Sequence, residues 1–177
     1  VAEKGQLDPY TKTGVNGQIG FNHQFSKELT ARLFATGQHA QFEDDVYGTR
    51  DFTTGGFLGA LTYDSRNNAA NPTRGHYVDV SALPFYEFQY GNPAGQFTAE
   101  GRAYFAPNGS DRLVLAGRAK VGTVVGPQIA ELPPDILFFA GGGGSVRGYP
   151  YRSIGVQVGD DVVGGKSLVE GSVELRT

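Results

Sequence analysis

Apolar and polar residues alternate with a period of two along most of this chain. In residues 15–25 the odd positions are mainly apolar, and the even positions carry only Asn, Gln and Gly. Such alternation is typical of a β-strand with one dry face and one wet face. The same pattern recurs in residues 29–42, 55–64, 75–90, 96–105, 112–125 and 169–176. No segment has the 3.6-residue period of a helix, so the sequence predicts an all-β protein with essentially no helix.

The predicted strands are long, and their connections differ in length. Most strands reach the roughly 9–11 residues with which a tilted strand crosses an outer membrane, whereas ordinary globular strands average about 5–6. The connections at 26–28 and 107–111 are short, and those at 43–54 and 126–165 are long. Short turns at one rim and long loops at the other favour an antiparallel transmembrane β-barrel of the outer membrane; the alternative is a soluble β-sandwich. The long connection at 65–74 does not fit this alternation, because it falls at the rim of the short turns.

Composition excludes several other classes of protein. The chain has 177 residues, enough for one domain, and no apolar run approaches the ~20 residues of a transmembrane helix. Its 27 glycines and its aromatic content of 12% favour β-structure with many turns. The net charge is -3 with both signs interspersed, so no basic surface for a nucleic acid is expected. The absence of cysteine excludes disulfides and thiolate metal sites.

Two segments are dense in turn and loop residues. The first joins two predicted strands and contains Asp64, Arg66, Asn67, Pro72, Arg74 and Gly75. Asp and Asn side chains bond the local backbone and Pro and Gly interrupt regular structure, so turn formation alone is one interpretation of this set. The second follows Phe138 and Phe139 and contains Gly141, Gly142, Gly143, Gly144, Ser145, Val146, Arg147, Gly148 and Tyr149. Bulky aromatic residues on both flanks favour a docked loop; the alternative is a flexible Gly/Ser linker.

These motifs resemble the bacterial surface antigen family, the outer-membrane assembly and translocation barrels typified by BamA and TamA. Residues 64–75 resemble the periplasmic-turn signature of that family. Residues 139–155 resemble its sixth extracellular loop, in which a Val-Arg-Gly-Phe/Tyr element folds back into the barrel lumen. Residues 164–175 resemble the strand that follows this loop. The four consecutive glycines and the Ser-Ile-Gly continuation at 153–155 are closest to the TamA-like members.

The resemblance implies that the chain is a fragment of a larger barrel. Family barrels have about sixteen strands, and the long loop lies between about the eleventh and the twelfth. Residues 1–177 are then expected to form a partial C-terminal barrel domain of about seven strands, with a lumen-folding loop at about 126–165. The N-terminal periplasmic POTRA repeats and the remaining strands are expected to be absent. The implied location is the outer membrane of a Gram-negative bacterium.

The implied function is the insertion or export of client β-barrel or autotransporter proteins, without enzymatic activity. The implied partners are outer-membrane lipid, the client proteins and a periplasm-spanning accessory protein. No catalytic residue, metal or cofactor is implied, and no nucleic acid is expected as a partner. Two alternatives stay open: a passive outer-membrane pore, and a barrel that anchors or exports a fused patatin-like hydrolase.

The resemblance also implies how the loop is anchored. In relatives, the arginine that matches Arg147 reaches into the lumen and pairs with acidic residues on the strands after the loop. Glu174 matches an acidic position of this kind, and Glu170, four residues earlier, points to the same side of a strand. Guanidinium and carboxylate groups can form a bidentate, charge-assisted contact. The alternatives are a solvated loop arginine and ordinary lumen-facing acids.

Other chemistry has little support in the sequence. Residues 164–167 read Gly-Gly-Lys-Ser like the end of a phosphate-binding loop, but Gly159 is one residue too far upstream. A strand pattern also follows where that loop requires a helix. The three histidines lie on separate strands without ligand spacing, so a metal site is not expected. No nucleophile elbow and no pair of catalytic carboxylates is present.

Overall fold

A computed structural model describes residues 9–107 and 113–177 of the chain, so the short turn expected at 107–111 lies almost wholly outside the described residues. Seven long strands form one antiparallel sheet in the order β1-β2-β3-β4-β5-β6-β9, and β7 and β8 form a small separate hairpin. The strands are β1 (Thr11–Gln24), β2 (Leu29–Asp44), β3 (Gly48–Asp64), β4 (Gly75–Glu87), β5 (Asn92–Phe105), β6 (Val114–Val125), β7 (Val156–Val158), β8 (Asp161–Val163) and β9 (Ser167–Arg176). The predicted all-β class is confirmed, and the sandwich alternative is wrong because the long strands lie in one sheet.

The two rims of this sheet carry different connections. We call the rim with residues 45–47, 88–91 and 126–166 the loop rim. The opposite rim, with residues 25–28 and 65–74, is the turn rim. Apart from two 3₁₀ turns, Ile129–Glu131 and Pro134–Ile136, the connections contain no helix in the described part of the chain. None of the described helical turns is long and apolar enough to cross a membrane.

The outer face of the sheet is apolar and open. Residues that are paired across neighbouring strands lie on the same face of the sheet. The alternation predicted from the sequence places most of the large apolar side chains of the strands on the outer face. Along the seven long strands this face carries only two charged side chains, Glu43 and Asp51. The exposed large apolar residues of this face include Val15, Ile19, Phe21, Leu33, Phe57, Leu61, Val78, Val80, Phe97, Leu115, Val121, Val169, Val173 and Leu175. An exposed apolar surface of this extent fits contact with lipid.

The connection expected at 43–54 is shorter than the sequence predicted. β2 and β3 continue to a three-residue turn at 45–47, so the long loop expected there is wrong. The Asp44 carboxylate closes this turn by accepting the N–H groups of Val46 and Tyr47 at 3.1 and 2.6 Å. Its second oxygen accepts a hydrogen bond from Arg50. Because the outward side chains of this hairpin tip are polar, the apolar alternation that marks the other strands is missing here.

The connection between β6 and β9 covers the inner face of the sheet and forms the main hydrophobic core with it. The ring of Phe138 lies over Gly122, where an added Cβ would be only 2.5 Å from the ring. The buried members of this core are Phe85, Val124, Leu132, Leu137, Phe138, Ala140 and Leu168. The sequence predicted a loop here but neither the β7–β8 hairpin nor the 3₁₀ turns, which are only three residues long each. The loop, rather than a second sheet, buries the core.

Candidate functional site

A row of charged side chains forms the floor of the inner face beneath the loop. Arg118 on β6 lies between two acids: its Nε is 3.0 Å from Oε1 of Glu100 on β5, and its Nη1 is 3.3 Å from Oε2 of Glu170 on β9. Arg102 Nε lies 2.6 Å from the same Glu100 oxygen. These contacts form because residues of even number in β5, β6 and β9 all face inward in this register. The result is a network of alternating charges across three strands.

The loop tip contacts this floor through Ser145. Its hydroxyl donates a hydrogen bond to Oε1 of Glu170 and accepts the Gly141 N–H at 3.1 Å. The Glu170 side chain is only 6% exposed. Gly141 has φ +108, and an added Cβ would lie 2.3 Å from the Pro150 carbonyl oxygen, so this position requires glycine. By contrast, a Cβ at Gly143 would meet nothing within 4 Å.

The structure also brings together Arg147 and Glu174. Nη2 of Arg147 lies 2.5 Å from Oε1 of Glu174, and the second oxygen of Glu174 accepts from Arg176 Nε at 3.3 Å. The Arg147 side chain is 72% exposed, so water screens this pair. Glu170 does not contact Arg147 here; it binds Ser145 and Arg118 instead. An anchoring role for these residues stays a proposal.

The other residues of the loop motif shape the tip. Gly142 and Gly148 have φ +93 and +88, which only glycine adopts readily. The Gly142 N–H donates to the Tyr149 carbonyl at 3.0 Å and closes the tip, while the Tyr149 ring is exposed. Val146 packs against the hydrophobic core from its edge. These contacts describe an ordered tip and disfavour the flexible-linker interpretation.

The tip lies far from the rim at which the loop starts. Glu174 pairs with Ala116, which is near the turn-rim end of β6, whereas the loop leaves β6 at Val125. Nine residues of strand correspond to about 30 Å. A cavity of about 400 Å³ lies between the tip and the floor, and the residues that line it include Arg102, Arg118, Arg147 and Arg176. The tip therefore lies deep within the inner face.

The segment at 65–74 forms an ordered turn around Asn67. Oδ1 of Asn67 accepts the N–H groups of Thr73 and Arg74, both at 3.1 Å, and its Nδ2 donates to the Thr73 hydroxyl at 2.9 Å. Pro72 and Thr73 are buried. Gly75 has φ +102, and a Cβ there would lie 2.3 Å from the Ser65 carbonyl oxygen. These contacts explain the turn motif in structural terms.

The start of this turn is held by Asp64 and Arg66. Nε and Nη2 of Arg66 donate to the two oxygens of Asp64 at 2.8 and 2.7 Å, in a bidentate contact. The hydrogen bond to the Asp64 carboxylate raises the pKa of the Arg66 guanidinium. The guanidinium carbon also lies 4.7 Å from the centre of the Tyr77 ring. The pair joins the turn to the first residues of β4.

Sequence reasoning missed several residues that hold the loop at the loop rim. Lys12 Nζ on β1 lies 2.7 Å from the Asp135 carboxylate, and Arg50 on β3 donates to the Ala130 carbonyl at 2.7 Å. Gln96 on β5 donates to the Ile136 carbonyl at 2.6 Å. No local sequence signal marks these contacts, because each joins residues far apart in the chain. Among the described residues, no three His, Asp or Glu side chains group as metal ligands.

Comparisons with known proteins agree with this architecture. Residues 2–177 match the Omp85 superfamily domain. The fold is similar to that of BamA from Haemophilus ducreyi, crystallised without POTRA domains 1–3, with a TM-score of 0.75 and 20% identity. The likeness covers 94% of this chain but 37% of the BamA chain, so this chain spans well under half of that relative. The predicted resemblance is confirmed: the chain belongs to the Omp85 superfamily, and its strands are part of a β-barrel in the outer membrane of a Gram-negative bacterium.

Proposed function

We propose that this chain is a section of barrel wall, with its lumenal loop, from an outer-membrane assembly or translocation factor. In this proposal the factor inserts or exports client β-barrel or autotransporter proteins. The observation that carries it is the loop tip docked on the charged floor, where Ser145 meets Glu170 and Arg147 meets Glu174. A loop held in this way stiffens the wall from inside. The TamA-like features of the loop motif favour autotransporters among the clients.

The two rims then face different compartments. The turn rim, with its ordered turn around Asn67, faces the periplasm, from which clients arrive. The loop rim faces the outside, and the polar tip of the β2–β3 hairpin extends beyond the apolar band on that side. The apolar outer face contacts outer-membrane lipid. A periplasm-spanning accessory protein would meet the turn rim.

The proposed mechanism involves no covalent step. Client strands pair with an open strand edge, because free N–H and C=O groups at an edge template the next strand. The barrel must open at one seam for this pairing without losing the curvature of the rest of its wall. The docked loop supports the section described here, since it contacts β1, β3, β5 and β9.

A passive pore is the second candidate, because the inner face of the sheet is polar and charged. The loop that covers this face argues against high conductance. Both functions can be tested with the full-length protein reconstituted in liposomes. We expect it to accelerate the folding of an unfolded β-barrel client, measured by the client's heat-dependent gel mobility, and to show no large steady conductance in single-channel recordings.

The Arg147→Ala variant provides the comparison in both assays. It is expected to slow client folding and to raise conductance, because the tip loses one of its contacts with the floor. Large steady conductance of the unmodified protein, together with no acceleration of client folding, would overturn the assembly proposal in favour of the pore.

A further inference from the structure

We propose that Arg152 is a second anchor of the loop. Arg152 positions the loop at the β1 end of the sheet, while Ser145 and Arg147 hold the loop at the β9 end. The proposal rests on the proposed function, since a brace must be fixed at both of its ends. Arg152 follows the Val-Arg-Gly-Tyr element by three residues and belongs to the same loop. Its contacts reach Tyr10, which immediately precedes β1 and lies 142 residues away in the sequence.

The Arg152 side chain lies among three aromatic rings. Its guanidinium carbon is 5.5 Å from the ring centre of Tyr10, 5.8 Å from that of Phe139 and 5.3 Å from that of Tyr151. Nη1 also donates to the Tyr10 hydroxyl at 3.3 Å. A guanidinium group within about 6 Å of a ring centre is attracted by the negative face of the ring. Because Tyr10 belongs to the wall and Phe139 to the loop, this group joins the two.

The backbone at Arg152 supports a positioning role. Its φ of +53 is the only positive value at a non-glycine residue in the described part of the chain. An arginine rarely adopts this conformation, and it persists only where the surrounding contacts determine it. Directly after it, Ile154 exchanges two backbone hydrogen bonds with Ala140, at 2.8 and 2.9 Å. The main chain therefore holds the side chain against Tyr10.

The rings around Arg152 continue as a ladder along the loop rim. Tyr10 meets Phe42 at 5.6 Å between ring centres, Phe42 meets Phe52 at 5.7 Å, and Phe52 meets Tyr90 at 5.5 Å. Phe42 and Phe52 are fully buried. The ladder thus connects the loop to β1, β2, β3 and the turn after β4. An anchor on this ladder therefore links the position of the loop to these four elements.

Hydrogen exchange of backbone amides tests the two anchors separately in the full-length protein in detergent. For Arg152→Gln we expect at least tenfold faster exchange of the Ala140 and Ile154 amides, and less than twofold change at Gly142 and Ser145. For Arg147→Gln we expect faster exchange at Gly142 and Ser145, by about fivefold or less because its ion pair is screened by water, and less than twofold change at Ala140 and Ile154. Lys27→Gln, which removes a cation from the 25–28 turn, is the control and should change neither group.

Four further variants probe the interactions at Arg152. Tyr10→Leu removes the ring and should match Arg152→Gln, whereas Tyr10→Phe removes only the hydroxyl and should change exchange by less than threefold. Arg152→Gly relieves the backbone conformation but loses the side chain, so it should also accelerate exchange. Slower exchange in Arg152→Gly would overturn the proposal, because backbone strain would then outweigh the ring contacts. Arg152→Lys keeps the charge and supplies a folded variant if the others fail to reach the membrane.

A parallel assay of client folding distinguishes this inference from the proposed function. The Arg147→Gln, Arg152→Gln double variant should loosen the loop at both anchors and slow client folding more than either single variant. If exchange becomes faster while client folding stays normal, the anchoring role of Arg152 is supported and the bracing function is contradicted. Unchanged exchange at Ala140 and Ile154 in Arg152→Gln would overturn the proposal that Arg152 is an anchor, regardless of the result of the client-folding assay.

Discussion

Glu170 and Arg147 make physically different contacts at the loop tip. Glu170 is nearly buried and serves two partners, the Ser145 hydroxyl and the Arg118 guanidinium. Arg147 is largely exposed, and its contact with Glu174 competes with water. An ion pair in water contributes little to the free energy of unfolding, whereas altering a buried carboxylate with two partners lowers that free energy substantially. The buried glutamate should therefore matter more for stability than the arginine of the loop motif.

We predict that Glu170→Gln destabilises the full-length barrel by about 2 kcal/mol, because Arg118 loses a charged partner in a nearly dry site. Arg147→Gln should cost about 1 kcal/mol or less, since its pair is screened. Urea titration in detergent micelles measures both free energies of unfolding. A larger loss for Arg147→Gln than for Glu170→Gln would contradict this ranking.

The sequence predicted part of this site. A motif match and the two-residue strand period suffice to bring Arg147 and Glu174 to the same side. The Ser145–Glu170 contact and the bridging position of Arg118 could not be predicted, because they depend on the register of β5, β6 and β9. The contact between Arg152 and the Tyr10 ring joins residues at opposite ends of the chain and has no local sequence signal.

Among the structural elements, the turn at 65–74 shows why glycine is required at one turn and only favoured at another. Gly75 and Gly48 both have positive φ, at +102 and +70. A Cβ at Gly75 would collide with the Ser65 carbonyl oxygen, whereas a Cβ at Gly48 would meet nothing within 4 Å. Substitutions at the two positions therefore distinguish the energetic cost of a steric collision from the cost of an unfavourable backbone conformation.

We predict that Gly75→Ala destabilises the barrel by about 3 kcal/mol, because the collision adds to the backbone strain. Gly48→Ala, the matched control, should cost about 1 kcal/mol from its backbone conformation alone. The temperature at which each folded barrel loses its compact gel mobility gives the comparison. Equal losses for the two variants would mean that the close approach at Ser65 is relieved by a small shift of the turn.

The long strands were predictable as elements because one face of each is apolar and the other polar. The β2–β3 hairpin tip was missed, since its outward side chains are polar while Phe42 and Phe52 face inward, and the turn depends on the Asp44 side chain. The β7–β8 hairpin was missed because strands of three residues have no measurable period. Alternation therefore predicts the part of a strand that carries the apolar outer face more reliably than the part beyond it.

For the molecule as a whole, the central feature is one sheet with an apolar outer face and a charged inner face covered by the loop. Ile19 and Gln18 are neighbours in the middle of β1 that face outward and inward, respectively. Both are exposed in this structure. The two positions therefore differ in the environment that each face of the sheet meets, and not in how tightly their side chains are packed.

We predict that Ile19→Lys destabilises the full-length barrel by about 2–4 kcal/mol, because a charge would face the lipid interior. Gln18→Lys should be tolerated, since the inner face already carries charged side chains. Folding into liposomes, followed by protease protection, measures the difference. If both lysines were tolerated equally, the outer face of β1 would not be in contact with lipid.

The most direct test of the account is the position of the loop tip on the inner face. The 177 residues contain no cysteine, so pairs introduced into the full-length protein report on chosen contacts within this segment. Ser145→Cys with Glu170→Cys should be joined by a short bifunctional thiol reagent in intact outer membranes. Ser145→Cys with Val169→Cys should not, because Val169 points to the outer face. The account predicts that only the first pair is cross-linked; no cross-link, or equal cross-linking of both pairs, would contradict it.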